Sequence, residues 1–384
     1  MRLFKTEALF KTKEYVYTYR WKRRAICECS NRLKPTSFDK SLFGLTRQCA
    51  RCKHHKENMF QEIVILYLSS LASVLSETCP DEFKQLQSSC TCQDHNKVIC
   101  PNPSIDPEHE LIVHYDPNDI YFECRKPDDN ILEHYLNKID FNDEVKDRAI
   151  FDGCGIPSES YAKWSSLMNV TFTVLVIKKL GSSRSLTSKS LKDLKIKKLI
   201  LDQMHPDNIQ DEDLFSEIKT ELTHLVITGP KIPNSNLPDK LFDHLENLES
   251  LVLFFMFSSL SPKRSWFQDL GKLKTLYLDG FDGSYLQEDV FQPMINLKNI
   301  TLGGNNFSFI PEKIFSGNAK LESFEWIYDK CNNCILKPRN FLKGLDQLKK
   351  FKIHKNPFAS DLILHEDFFE DCQKLEIIGK AKLQ

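Results

Sequence analysis

The sequence predicts an α/β solenoid of leucine-rich repeats, a horseshoe with a parallel sheet on its concave face and a disulfide-rich N-terminal cap. Three observations carry that expectation. The stretch Leu297-Lys-Asn-Ile300-Thr-Leu302-Gly-Gly-Asn305-Asn-Phe307, followed by Ile310-Pro311 and Phe315, reads L-x-x-L-x-L-x-x-N-x-F, the pattern of a short strand and turn whose apolar residues face inward. The same triplet recurs along the second half of the chain. A cluster of cysteines stands just ahead of the recurring units. One such unit cannot bury its own apolar face and needs neighbours of the same shape on both sides.

Aligned on L-x-x-L-x-L, the triplets are Phe172/Leu175/Ile177, Ile196/Leu199/Leu201, Leu222/Leu225/Ile227, Leu248/Leu251/Leu253, Leu273/Leu276/Leu278, Leu297/Ile300/Leu302, Leu321/Phe324/Trp326 and Leu348/Phe351/Ile353, with a ninth, Leu375/Ile378, that loses its third member to Lys380. First positions fall 24, 26, 26, 25, 24, 24, 27 and 27 residues apart, inside the period expected of this repeat. A weaker unit at Ala149/Phe151 precedes them, with Cys154 at the Asn position. Toward the end of each unit stands an aromatic residue (Phe215, Phe242, Phe267, Phe291, Phe315), which we expect to pack between coils on the convex side. Asn305 and Asn356 occupy the turn position with the residue the pattern wants, whereas Leu180, Met204, Pro230, Met256 and Phe281 do not. The turns of the early coils are therefore expected to be less regular.

Composition describes a folded protein. Hydrophobic residues make up 41% and charged residues 27% of the 384, with a net charge of −1. That balance hides a split of +10 over residues 1–58 and −11 over 59–384, which marks two kinds of sequence. Residues 1–58 read as a basic extension, disordered or absent from the mature protein. Its Cys27-x-Cys29 and Cys49-x-x-Cys52 pairs have the look of zinc ligands, but no flanking fold supports a metal site. Residues 59–76 contain the apolar run Ile63–Val74 with small residues after it. The run is short for a membrane span and reads as a signal-peptide core, with a buried helix or an anchor as the other readings.

Residues 77–154 read as the cap. Cys79-Pro80, Cys90-Thr-Cys92 and Val98-Ile-Cys100-Pro101, then Cys124 and Cys154, form in a secreted context a disulfide framework rather than a metal site. Its physical task is to cover the open apolar end of the first coil. Residues 155–384 are the repeats, about nine, without a C-terminal cap.

No catalytic constellation is present: there is no G-x-S-x-G, H-E-x-x-H or phosphate-binding loop, and no cofactor or metal is expected. An interaction protein is the reading that remains, with its surface on the exposed strand positions. These carry mixed charge without a basic, aromatic-interleaved stripe, so nucleic acid is not expected as a partner. Candidate contacts are Lys197, Lys198, His224 and Tyr277, together with the run Phe254-Phe255-Met256-Phe257, of which Phe254 or Phe255 should project outward. Asn169-Val-Thr, Asn299-Ile-Thr and Asn306-Phe-Ser are N-glycosylation sequons.

The cap spacing Cys79…Cys90-Thr-Cys92…Val98-Ile-Cys100-Pro101, then Glu123-Cys124 and Cys154, resembles the opening of arthropod Toll receptor ectodomains. So does the coil Leu241-Phe242-Asp-His-Leu245-Glu-Asn-Leu248-Glu-Ser-Leu251. The resemblance covers roughly residues 79–384. It implies disulfides Cys79–Cys92, Cys90–Cys100 and Cys124–Cys154. It also implies an extracellular or cell-surface horseshoe that binds a Spätzle-like cystine-knot cytokine in innate immunity or development, together with a second receptor chain. A Toll receptor continues through further repeats, a membrane helix and a signalling domain. The sequence stops at Gln384, and residues 79–384 hold nine cysteines, an odd number. A fragment that binds without signalling is the expectation, joined to a membrane only through a segment beyond this sequence. A secreted leucine-rich repeat module or decoy is the alternative.

Overall fold

The computed structural model describes residues 79–383 apart from 94–95, 102–109, 126–130, 158, 182–183, 231–236, 259–260, 282–285, 306–310, 329–341, 356–362, 365–371 and 379–381. Every described residue lies in one compact unit, 76–384. The basic extension, the signal-like segment, Asn306, Cys331 and Cys334 lie outside the described residues.

One sheet runs through this unit. Its strands are β1 (Thr91–Gln93), β2 (Lys97–Pro101), β3 (Glu110–Tyr115), β4 (Asp119–Cys124), β5 (Glu144–Asp152), β6 (Val170–Lys178), β7 (Lys198–Asp202), β8 (His224–Gly229) and β9 (Ser250–Ser258). They continue as β10 (Thr275–Phe281), β11 (Asn299–Asn305), β12 (Ser323–Tyr328) and β13 (Lys350–Lys355). A separate pair is β14 (Ile363–Leu364) with β16 (Lys382–Leu383), while β15 (Ile377–Ile378) closes the main sheet beside β13. Strands follow one another in sequence order. β1 to β4 pair antiparallel, and from β4 onward each strand lies parallel to the last. This is the leucine-rich repeat solenoid, with cap and coils sharing a single sheet.

The triplets explain the strands. Residues two apart on a strand point to the same side, so the last two members of each triplet enter the core together. Leu175 and Ile177, Leu199 and Leu201, Leu225 and Ile227, Leu251 and Leu253 are all fully buried. From Ile196 to Leu348 the first member sits just before the strand and is buried as well, while Phe172 is buried within β6 itself. Main-chain bonds pass from coil to coil at the strand entry: the Glu249 amide donates to the Thr223 carbonyl (2.8 Å), Lys274 to Glu249 (2.9 Å) and Lys298 to Lys274 (2.9 Å).

The other side of the core is aromatic. Phe215 stacks on Phe242 with centroids 6.3 Å apart, and Phe291 stacks on Phe315 at 5.9 Å and meets Phe267 at 6.0 Å. At the turn positions that lack asparagine, Leu180, Met204 and Phe281 point inward and are buried. Apolar side chains there extend the core where an amide would have bonded the turn. Two asparagines elsewhere in the coils do bond carbonyls that no strand satisfies. Asn318 donates to the Phe291 and Met294 carbonyls at 2.9 Å each, and Asn208 donates to those of Gly181 and Arg184.

The cap is stapled by disulfides Cys79–Cys92, Cys90–Cys100 and Cys124–Cys154, the pairs that the resemblance implies. Cys124 ends β4 and Cys154 follows β5, so the third bond ties the cap to the first coil. Two short helices, α1 (Ile131–Tyr135) and α2 (Tyr161–Leu167), flank this joint. Ser160 caps α2, its Oγ accepting from the Lys163 amide at 3.2 Å. α2 lays Tyr161 and Trp164 against Phe151, with ring centroids 5.2 and 5.3 Å away. Lys146 on β5 is buried, yet its ammonium is satisfied by the Asp116 carbonyl (3.0 Å) and the Glu144 carboxylate (2.5 Å).

Candidate ligand-binding face

Alternate residues of β4 to β13 stand on the side of the sheet away from the core, and the register arranges them in rows that cross the strands. The middle row holds the residue between the last two triplet members. It runs Tyr121, Ile150, Val176, Ile200, Val226, Val252, Tyr277, Thr301, Glu325, Lys352. From β5 to β9 it is entirely β-branched aliphatic. Five adjacent strands at about 4.8 Å spacing make a stripe roughly 20 Å long. Ile150, Ile200, Val226 and Val252 are partly open to solvent and Val176 is nearly covered. Aliphatic side chains set side by side on the open face of a sheet are candidates for a partner contact, where single exposed apolar residues are not.

Two flanking rows differ in character. One runs Arg148, Val174, Lys198, His224, Ser250, Thr275, Asn299, Ser323, Lys350. Its early part is basic, Ser250 to Ser323 carry short hydroxyl and amide side chains, and Lys350 ends it. The other runs Asp152, Lys178, Asp202, then Thr228, Phe254, Asp279 and Gly303. Here the acids are held by neighbours. Tyr121 donates to Asp152 Oδ2 at 2.6 Å, Thr228 to Asp202 Oδ1 at 2.6 Å, and Tyr277 to Asp279 Oδ2 at 2.7 Å. Partial burial, and then the bond to a carboxylate, push both tyrosine hydroxyls well above the usual phenol range, so each stays a protonated donor. Lys178 lies over the Tyr121 ring at 5.8 Å from its centroid.

The candidate contacts read from sequence fall unevenly on this surface. Lys198 and His224 belong to the basic flank, and Tyr277 follows the aliphatic stripe in the middle row. Lys197 is exposed at the entry of β7, where its amide bonds the Thr173 carbonyl at 2.9 Å. Phe254 stands partly exposed beside Thr228 and Asp279. Phe255 must be corrected, because its ring is fully buried. Strand alternation turns it inward after Phe254, onto Gly229 and edge-on to Phe281 with centroids 5.9 Å apart. Gly229 has to be glycine: a Cβ there would lie 2.7 Å from the Met204 carbonyl oxygen and 2.7 Å from the Phe255 ring. Of the sequons, Asn169 and Asn299 are exposed. Asn169 precedes β6, away from the rows, while Asn299 lies in the first flanking row.

The residues that sequence reading passed over are Ile150, Val176, Ile200, Val226 and Val252. Their signal was present, since each is the x of an L-x-L triplet end. The series lacks the charge and aromaticity that usually mark a contact surface in a sequence.

No known family model matches the chain, and no curated protein matches it. Among solved structures it is similar to a chain of the Drosophila Toll–Spätzle complex, described as a molecular hub in development and innate immunity. Identity is 18% over 77% of this chain and 45% of that one, with a TM-score of 0.50. The glycosylated form of the complex matches at 16% identity over 80% of this chain and 46% of that one, with a TM-score of 0.52. The likeness is one of fold, and the chain spans less than half the length of the solved chains it matches. Among the described residues no group of His, Cys, Asp and Glu has the arrangement of a metal site, and no helix is long and apolar enough to cross a membrane.

Proposed function

We propose that residues 77–384 are the ligand-binding region of a Toll-like receptor ectodomain, presented outside the cell or at its surface, and that the ligand is a Spätzle-like cystine-knot cytokine bound in innate immune or developmental signalling. The observation that carries the reading is the aliphatic row Ile150–Val252, bordered by Tyr121 and Phe254, on a stapled solenoid of Toll-like fold. An apolar centre with aromatic neighbours and a charged rim has the composition of a protein–protein contact. The cap disulfides support residence in an oxidising compartment, reached through a signal peptide at 59–76. A second receptor chain would complete a signalling complex.

The test is surface plasmon resonance of the purified chain against recombinant Spätzle and other arthropod cystine-knot dimers. The expected result is saturable binding that Ile200→Glu with Val226→Glu abolishes, because a carboxylate in the stripe must be desolvated on contact. If the natively disulfide-bonded chain binds none of these dimers, the cytokine reading fails. A secreted repeat module with another protein partner then becomes the better account.

A further inference from the structure

We propose that Asn299 carries an N-linked glycan that roofs the C-terminal, polar part of the sheet face and leaves the aliphatic row open, so that a sugar rather than a side chain marks where the binding surface ends. The proposal rests on the extracellular placement above, but not on the identity of any ligand.

Three features of the face point to it. The sequon Asn299-Ile300-Thr301 places its asparagine on the flanking row at the first residue of β11 and its threonine on the middle row two residues on. Ile300 between them is buried. Both sequon side chains thus face the open side of the sheet. The second feature is the surroundings. Along that row the two residues beside Asn299 are Thr275 and Ser323, both short and hydroxyl-bearing, with Ser250 and Lys350 one strand further out on either side, where the same row on β5 and β7 carries Arg148 and Lys198. The two adjoining hydroxyl groups are partners that a saccharide can bond. The third is the coincidence with chemistry in the middle row. The aliphatic series ends at Val252, and its successors Tyr277, Thr301, Glu325 and Lys352 are polar groups that tolerate a hydrated roof.

Asn169 makes a contrast. It sits in a left-handed conformation (φ 48°) before β6, with its amide nitrogen donating to Asp140 Oδ1 at 3.0 Å. Sugar on that residue would leave the rows of the face untouched.

The modification replaces one N–H bond of the Asn299 carboxamide with a bond to the anomeric carbon of the sugar. The donor is an oligosaccharide on a polyisoprenyl diphosphate. The amide proton is lost and the lipid diphosphate leaves, with no change in oxidation state.

To test it, the full chain is secreted from insect cells and peptide-mapped after enzymatic deglycosylation in oxygen-18 water. The Asn299 peptide is expected to carry the labelled aspartate, and Asn299→Gln and Thr301→Val should each remove the same one glycan from the intact mass. Hydroxyl-radical footprinting then reads the roof: deglycosylation should raise labelling of Tyr277 severalfold and leave Tyr121 unchanged. An unmodified Asn299 in secreted, disulfide-bonded protein overturns the proposal. Occupancy without any change at Tyr277 overturns the role assigned to the glycan. Neither readout involves a ligand, so failure of the cytokine reading would not be mistaken for failure of this one.

Discussion

The Tyr121 hydroxyl donates to Asp152 across adjacent strands at 2.6 Å, and Lys179 completes the acid's shell at 3.1 Å. The Asp152 side chain is only 9% exposed, so this pair holds a nearly buried carboxylate at the junction of cap and first coil. Tyr121→Phe removes one of its partners and should lower stability by about 1 to 3 kcal/mol. Thermal unfolding of the variant checks this, with Tyr277→Phe as a comparison at the other end of the aliphatic row. An unchanged melting curve for Tyr121→Phe would mean that water replaces the hydroxyl.

Two consecutive phenylalanines should behave in opposite ways. Phe255→Ala empties a packed site between Gly229 and Phe281 and should cost roughly 3 to 5 kcal/mol. Phe254→Ala, partly exposed, should cost under about 1 kcal/mol and instead weaken partner binding. Equal destabilisation of both would contradict the burial difference between them.

Gly229→Ala should destabilise by about 1 to 3 kcal/mol. The added methyl meets a main-chain carbonyl on one side, so adding Phe255→Ala should not rescue it. Comparing the double variant with the two single ones in denaturant unfolding decides this.

Cys124 and Cys154 close a loop of 30 residues. Replacing both with alanine should cost about 3 to 4 kcal/mol by loop entropy and loosen the junction of cap and coils. Hydrogen exchange should show the loss concentrated in β4 and β5, while β10 to β12 keep their protection because repeats depend mainly on their neighbours.

Glu322 accepts from Lys298 at 2.8 Å and Lys349 at 2.9 Å, and these bonds hold its carboxyl down at about 2. A depressed carboxyl stabilises the fold above its ordinary value of 4.5, and that contribution fades as pH falls toward about 2. Carboxyl NMR titration should give a low midpoint that rises in Lys298→Gln and Lys349→Gln. High salt should shrink the difference, since these pairs are exposed.

Much of this architecture can be read from residue order alone. A period near 25 residues with apolar positions at fixed offsets dictates stacked coils, because no single coil can bury its own face. The burial of Leu251 and Leu253, the packing of Phe291 on Phe315, and the need for a cap all follow from that one constraint. The strand period of two also makes every L-x-L place its middle residue on the open side, so Ile150 to Val252 were available as outward positions. What residue order does not contain is lateral register. Whether Ile200 lies beside Val226 or is displaced from it depends on how each coil's hydrogen bonds seat on the last, and only the folded sheet brings five separate aliphatic side chains into one stripe. The Phe254–Phe255 pair is different, because the period of two carried on from Leu251 and Leu253 already turns Phe255 inward and Phe254 outward; the folded structure adds the space above Gly229 that receives the ring. Local order therefore determines which residues are hidden, since burial follows a short period. Tertiary packing decides which exposed residues become neighbours, since that depends on contacts between coils some 25 residues apart.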